Sequence, residues 1–154
     1  MNILSLEKFA SLNLKDFPNR LLVCFGGTSN DARLWIIQLY QSYLENNLTE
    51  FTLLCVDNWR GTLGAYRADI AADLRDKLPD KFIDKFLQNV FYYSSNLSIQ
   101  NLESQGLKVF IGQLKQERKL EEIIVILANE SYNVPLTEFY SQSIEKPGFC
   151  QPLV

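Results

Sequence analysis

The sequence predicts a three-layer α/β/α sandwich built on a mainly parallel sheet, and three observations carry that prediction. Short apolar runs of strand length alternate with longer segments of helical period along the whole chain. The runs are apolar at every position rather than at every second one, which is the pattern of strands buried on both faces between helices. The chain has 154 residues, 47% of them apolar and 21% charged, the size and composition of one ordinary globular domain. A chain of this length buries roughly 70% of the surface that its unfolded form exposes, enough for one core.

The elements follow in order. Ser5 ahead of Leu6, Phe9 and Ala10 reads as a short amphipathic helix entered from a capping serine. Pro18 and Asn19 mark a turn, and Leu21 to Phe25 is the first strand. From Asn30 or Asp31 the period changes, with Ala32, Ile36, Leu39, Tyr40 and Tyr43 on one helical face as far as Glu45. Phe51 to Val56 is the second strand and Asp57 to Gly61 a loop. The next helix carries Tyr66, Ile70, Leu74 and Leu78, is interrupted at Pro79, and resumes with Phe82, Phe86 and Val90 on one side. Val90 to Tyr93 is a short third strand. Ser98 caps a helix through Leu102, Leu107, Phe110, Ile111 and Leu114, in which Gly106 is a weak point. Ile123 to Leu127 is the fourth strand, and Pro135 opens a last helix that ends at Lys146-Pro147-Gly148. Residues 149–154 form an irregular tail. The expected strand order is 3-2-1-4, with a ligand crevice between strands 1 and 4, where the order reverses.

Composition narrows the function. Net charge is −3 with no cluster of Lys and Arg, so neither nucleic acid nor an anionic membrane surface is an expected partner. The longest apolar run, Ile123 to Ala128, is too short for a bilayer, and residues 1–17 lack the pattern of a secretory leader. Three widely spaced cysteines give no disulfide framework or zinc site, and Cys24 and Cys55 read as small buried apolar residues. A cytoplasmic location is the expectation. Histidine is absent, which removes Ser-His-Asp and Cys-His nucleophiles and leaves carboxylate, lysine, tyrosine or cysteine for any chemistry.

One segment points to a ligand. In VCFGGTSNDAR, residues 23–33, an apolar strand runs into two glycines, small polar residues and a helix start. A Rossmann dinucleotide site uses such a turn to bring backbone N–H groups and a helix N-terminus to a pyrophosphate. Gly26, Gly27, Thr28 and Ser29 are the candidate phosphate residues. Asp57, roughly 30 residues later at the end of strand 2, is placed to accept from a ribose hydroxyl, and Arg60 to meet a 2′-phosphate. The competing reading is structural: Gly26 and Gly27 turn a strand sharply into a helix capped by Asn30 or Asp31, and Asp57, Asn58 and Gly61 are ordinary turn residues. Asp31 at the helix entrance competes with an anion for the same positive end.

The run Phe25-Gly26-Gly27-Thr28, continued by Ala32-Arg33 and Leu39-Tyr40, resembles the N-terminal coenzyme domain of glucose-6-phosphate dehydrogenase. Phe91-Tyr92-Tyr93-Ser94 is similar to that family's third strand and Ile124 to Ala128 to its fourth, so the likeness spans about 20 to 145. The resemblance implies a Rossmann-like domain and NADP or NAD as the cofactor. It also marks departures. The family's Gly-Asp-Leu is Ser29-Asn30-Asp31 here, its substrate lysine aligns with Trp35, and its NADP-selecting arginine aligns with Asn58, two residues before Arg60. Its proline turn after strand 4 aligns near Asn129-Glu130, and its second domain, with the catalytic histidine, has no counterpart.

Three readings follow. The first is a non-catalytic, truncated coenzyme domain, a pseudoenzyme that binds NADP or NAD weakly or not at all and works through protein contacts. A sheet that ends at strand 4 leaves an exposed edge there, which predicts a homo-oligomer or a protein partner to cover it, with the tail Phe149 to Val154 as a further candidate cover. The second is a small NAD(P)- or nucleotide-binding enzyme or sensor that uses the Gly26-Gly27 turn, with Tyr92, Asn129 and Glu130 at its mouth. The third is a subunit of a larger complex, in which Trp59 and Arg60 serve either as an interface hot spot or as a loop anchor packed on strand 2.

Overall fold

The computed structural model describes residues 3–5, 19–78, 80–95 and 101–128. The expected helix over residues 6–10, the Ser98 cap, Asn129, Glu130, the last helix and the tail lie outside the described residues. Five strands, β1 (Ile3–Ser5), β2 (Arg20–Phe25), β3 (Thr52–Asp57), β4 (Val90–Ser94) and β5 (Glu122–Leu127), form one sheet in the order β1-β5-β2-β3-β4. Every pairing is parallel. The four predicted strands stand in the predicted order, 3-2-1-4.

The fifth strand was not expected, and it corrects one expectation. Ser5 ends β1, where it pairs with Leu127, and the neighbouring pairs are Ile3 with Val125 and Leu4 with Ile126. A three-residue strand shows no period, and its serine reads equally as a cap. Because β1 lies alongside β5, the fourth predicted strand is not an open edge, and that argument for a covering partner falls.

The strands alternate cleanly between two cores. Leu22, Cys24, Leu53, Cys55, Val90, Tyr92, Ile124 and Ile126 point to one side, under the helices α1 (Asn30–Glu45), α2 (Leu63–Lys77) and α3 (Ile83–Leu87). Leu21, Val23, Phe25, Leu54, Val56, Ile123 and Val125 point to the other, under Leu107, Ile111 and Leu114 of α4 (Asn101–Arg118). Strands covered on both sides bury every side chain, which is why β3 is buried from end to end. Arg20 and Glu122, directly paired between β2 and β5, form a salt bridge of 3.1 Å that matches the register.

The helices carry the expected faces, with two differences. Phe82 was expected on the apolar side of the second helical piece, but it precedes α3 in the left-handed region at φ 57° and is 56% exposed. α2 ends at Lys77 and α3 starts anew at Ile83, so the face does not continue from one to the other. Gly106, expected to be a weak point of α4, is a close approach: a Cβ there would lie 2.5 Å from the Tyr93 hydroxyl of β4.

Phe86 is the centre of the α1–α3 core, fully buried with the rings of Tyr40, Tyr43 and Phe51 at 5.2, 5.5 and 5.1 Å. Phe86→Ala is expected to lower unfolding free energy by about 3–5 kcal/mol in urea titrations. Phe82→Gly, four residues away, is expected to leave stability within about 0.5 kcal/mol or raise it, because glycine tolerates the left-handed backbone.

Candidate functional site

The candidate site forms at the C-terminal ends of β2 and β3, beside the point where β5 joins β2 on the other side. Gly26 takes φ 89°, a conformation natural to glycine, and turns the chain out of β2. Gly27 lies against β3 so closely that a Cβ would stand 2.5 Å from Cys55 Cβ and 3.3 Å from Cys55 Cα. The Tyr66 hydroxyl of α2 donates to the Gly27 carbonyl at 2.7 Å. Both glycines therefore have a conformational or packing reason of their own.

Each N–H of the turn has an acceptor within the protein. Gly26 and Gly27 donate to the Val56 carbonyl at 2.8 and 3.3 Å, and Ser29 donates to the Gly26 carbonyl at 3.0 Å. Thr28 donates twice to Asp57 Oδ2, from its N–H at 3.0 Å and from its hydroxyl at 2.6 Å. The other oxygen, Asp57 Oδ1, accepts from the Asn58 N–H at 2.8 Å. Ser29 rather than Asn30 or Asp31 is the helix cap, its Oγ accepting from the Ala32 N–H at 3.1 Å. Serine outcompetes the next two residues because it keeps the extended backbone that a cap needs, at φ −70° and ψ 158°.

Five of the six candidate residues thus come together: Gly26, Gly27, Thr28, Ser29 and Asp57. Arg60 lies exposed in the loop after β3 and forms no ion pair among the described residues. Trp59, in the same loop, packs on β4 and α2 rather than on strand 2, with its ring 5.5 Å from that of Tyr92 and 6.4 Å from that of Tyr66. Tyr92, expected at the mouth, is buried instead. It stacks on Tyr66 at 4.6 Å, and its hydroxyl donates to the Trp59 and Asp57 carbonyls at 2.6 and 3.1 Å.

Two residues that matter here are not evident from the sequence. Tyr66 reads as a core residue at helical spacing, and only the need of a buried hydroxyl for a partner hints at its bond to the turn. Arg33, in the first turn of α1, ion-pairs with Asp73 at 2.9 Å and Asp69 at 3.8 Å on α2 and lies over the Tyr66 ring at 5.6 Å. The cation nearest the helix entrance is thereby neutralised by the protein's own carboxylates, while Asp31 adds a negative charge in the same turn.

Beneath the turn, Cys24 and Cys55 are direct neighbours across β2 and β3, both fully buried. A hydrogen bond with Cys55, and then burial, hold the Cys24 thiol well above its ordinary 9.0. Burial, and then the adjacent Cys55, raise Tyr66 far above its ordinary 10.0. Burial, and then the charge of Asp57, raise Tyr92 in the same direction. These groups are neutral structural members, unsuited to act as bases or nucleophiles near neutral pH. Among the described residues no cluster of three His, Cys, Asp or Glu could hold a metal, and no helix is long and apolar enough to cross a membrane.

Two outcomes are expected. Asp57→Ala leaves the Thr28 N–H and hydroxyl without an acceptor, and a loss of about 1–3 kcal/mol in urea unfolding is expected. Stability is also expected to fall as pH rises. The folded chain keeps Cys24 and Tyr66 protonated, whereas in the unfolded chain they lose protons above about 9 and 10. The native state then holds more protons, and each such group costs about 1.4 kcal/mol per pH unit beyond its unfolded pKa. Urea midpoints between pH 7 and 10.5 measure this, and Cys24→Ala removes the first part of the slope.

No protein-family model and no curated protein sequence matches the chain. Solved structures do match in fold. The crystal structure of glucose-6-phosphate 1-dehydrogenase from Mycobacterium avium superposes with a TM-score of 0.65 at 18% identity, over 82% of this chain and 27% of that one. A glucose-6-phosphate dehydrogenase in complex with glucose-6-phosphate gives 0.67 at 13% identity, over 86% of this chain and 29% of that one. The chain therefore has the Rossmann-like fold of part of glucose-6-phosphate dehydrogenase and spans less than a third of the length of the enzymes it matches.

Proposed function

We propose that this domain is a non-catalytic, glucose-6-phosphate dehydrogenase-like Rossmann module that serves binding or protein interaction, with weak or no affinity for NADP or NAD. The observation that carries this reading is the Asp57 carboxylate seated on Thr28. A carboxylate there takes the amide and hydroxyl that a pyrophosphate oxygen would need, and the neighbouring turn amides are bonded to backbone carbonyls. An incoming phosphate would have to break those bonds and approach both Asp31 and Asp57. The pairing of Arg33 with Asp69 and Asp73 removes the nearest counter-charge. The lack of histidine and the raised proton affinity of the buried cysteine and tyrosines support a role without acid–base chemistry.

Isothermal calorimetry with NADP, NAD and ATP is expected to give no saturable binding tighter than about millimolar, near ~4 kcal/mol. Saturable binding at micromolar concentrations would overturn the reading in favour of a nucleotide enzyme or sensor built on the Gly26-Gly27 turn. The interaction role has its own measurement. Light scattering at high concentration and affinity capture from the native source are expected to yield a homo-oligomer or a protein complex, and a partnerless monomer in both counts against it.

A further inference from the structure

At the opposite end of the sheet from the glycine turn, two arginines meet at the start of β4. Arg67 belongs to α2, on one side of the sheet, and Arg118 to the last turn of α4, on the other. Arg67 Nε donates to the Val90 carbonyl at 2.9 Å, and Arg118 Nη2 to Asn89 Oδ1 at 2.6 Å, so the two are anchored on consecutive residues. Both guanidinium groups lie over the one Phe91 ring, at 5.3 and 5.4 Å from its centroid.

Neither arginine has a carboxylate partner among the described residues, in contrast to Arg20, Arg33 and Arg75, each of which forms an ion pair. A guanidinium offers five N–H donors. Each of these two makes a single hydrogen bond to a described residue, so most of their donors are uncommitted. Burial, and then the charge of Arg118, lower the proton affinity of Arg67, and burial lowers that of Arg118, with Glu50 opposing from beyond ion-pair distance. Two half-buried like charges with no carboxylate in ion-pair contact are costly, and a shared anion relieves them. Arg67 also borders a groove of about 270 Å³, lined with it by Gly64, Ala68, Asp84, Leu87 and Gln88, which leaves room for the organic part of a ligand.

We propose that Arg67 and Arg118, both beside Phe91 at the start of β4, form a binding site for a dianionic oxyanion of the phosphate monoester class. Planar, fixed donor forks suit a phosphate with several acceptor oxygens better than they suit a single carboxylate. The site is independent of the glycine turn, so it stands whether or not a dinucleotide binds there.

The test is a titration of the full chain with inorganic phosphate at constant ionic strength, read by NMR on the arginine Nε–H signals. The signals of Arg67 and Arg118 are expected to shift saturably, with succinate binding more weakly and chloride giving no saturable response. Arg118→Gln is expected to weaken phosphate at least tenfold, and Lys77→Gln, at an exposed position outside both sites, to leave it unchanged. Should Arg118→Gln fail to fold, Arg118→Lys, which keeps the charge and loses the fork, is expected to weaken binding at least threefold. A response shared with chloride, succinate binding as tight as phosphate, or affinity unchanged in whichever Arg118 variant folds overturns the proposal.

Discussion

The carboxylate of Asp57 ties the end of β3 to the turn that leaves β2, and much of the site's geometry depends on that tie. One oxygen holds both polar groups of Thr28, and the other holds the backbone of the following residue. With Thr28 fixed, Gly27 is pressed onto Cys55, its carbonyl meets Tyr66, and Ser29 is left in position to cap α1. The loop after β3 is fixed from the same point, because Tyr92 binds the carbonyls of both Asp57 and Trp59. In the function proposed above, this acidic side chain occupies the place where a Rossmann fold receives an anion from outside.

The surrounding packing reinforces that closure. The stacked rings of Tyr66 and Tyr92, with Trp59 against both, form an apolar wall between α2 and β4. Arg33 spans from α1 to α2 over the same Tyr66 ring. Most polar groups of this region bond within the protein, although Arg33 Nε and Ser95 Oγ are buried without a hydrogen-bond partner. The start of β4 differs in kind: there two cations lie beside one ring, and neither forms an ion pair among the described residues.

Much of this was legible in the residues. The apolar strands announced a sheet covered on both sides, and the order of four of them followed from their alternation with helices. Gly26-Gly27-Thr28 and Asp57 were recognisable as neighbours, since a parallel fold brings the ends of its first two strands together. Their bonds to one another were not, because a carboxylate that accepts from a ligand and one that accepts from its own chain have the same sequence. β1 was missed for want of length, Phe82 because the second helical piece starts only at Ile83, and the Arg67–Arg118 pair because it joins residues 51 positions apart through the sheet edge.

The pairing of β1 with β5 bears on how the domain assembles. Ile3 finds its neighbour at Val125, so this contact closes a loop of most of the chain for only three residues of strand. Loop closure of that length carries an entropic cost that so few ladder bonds offset poorly unless their template already exists. β5 must first dock on β2, along six paired positions, before β1 has an edge to join. The outermost strand is therefore a latch that engages after the rest of the sheet and is the first to let go.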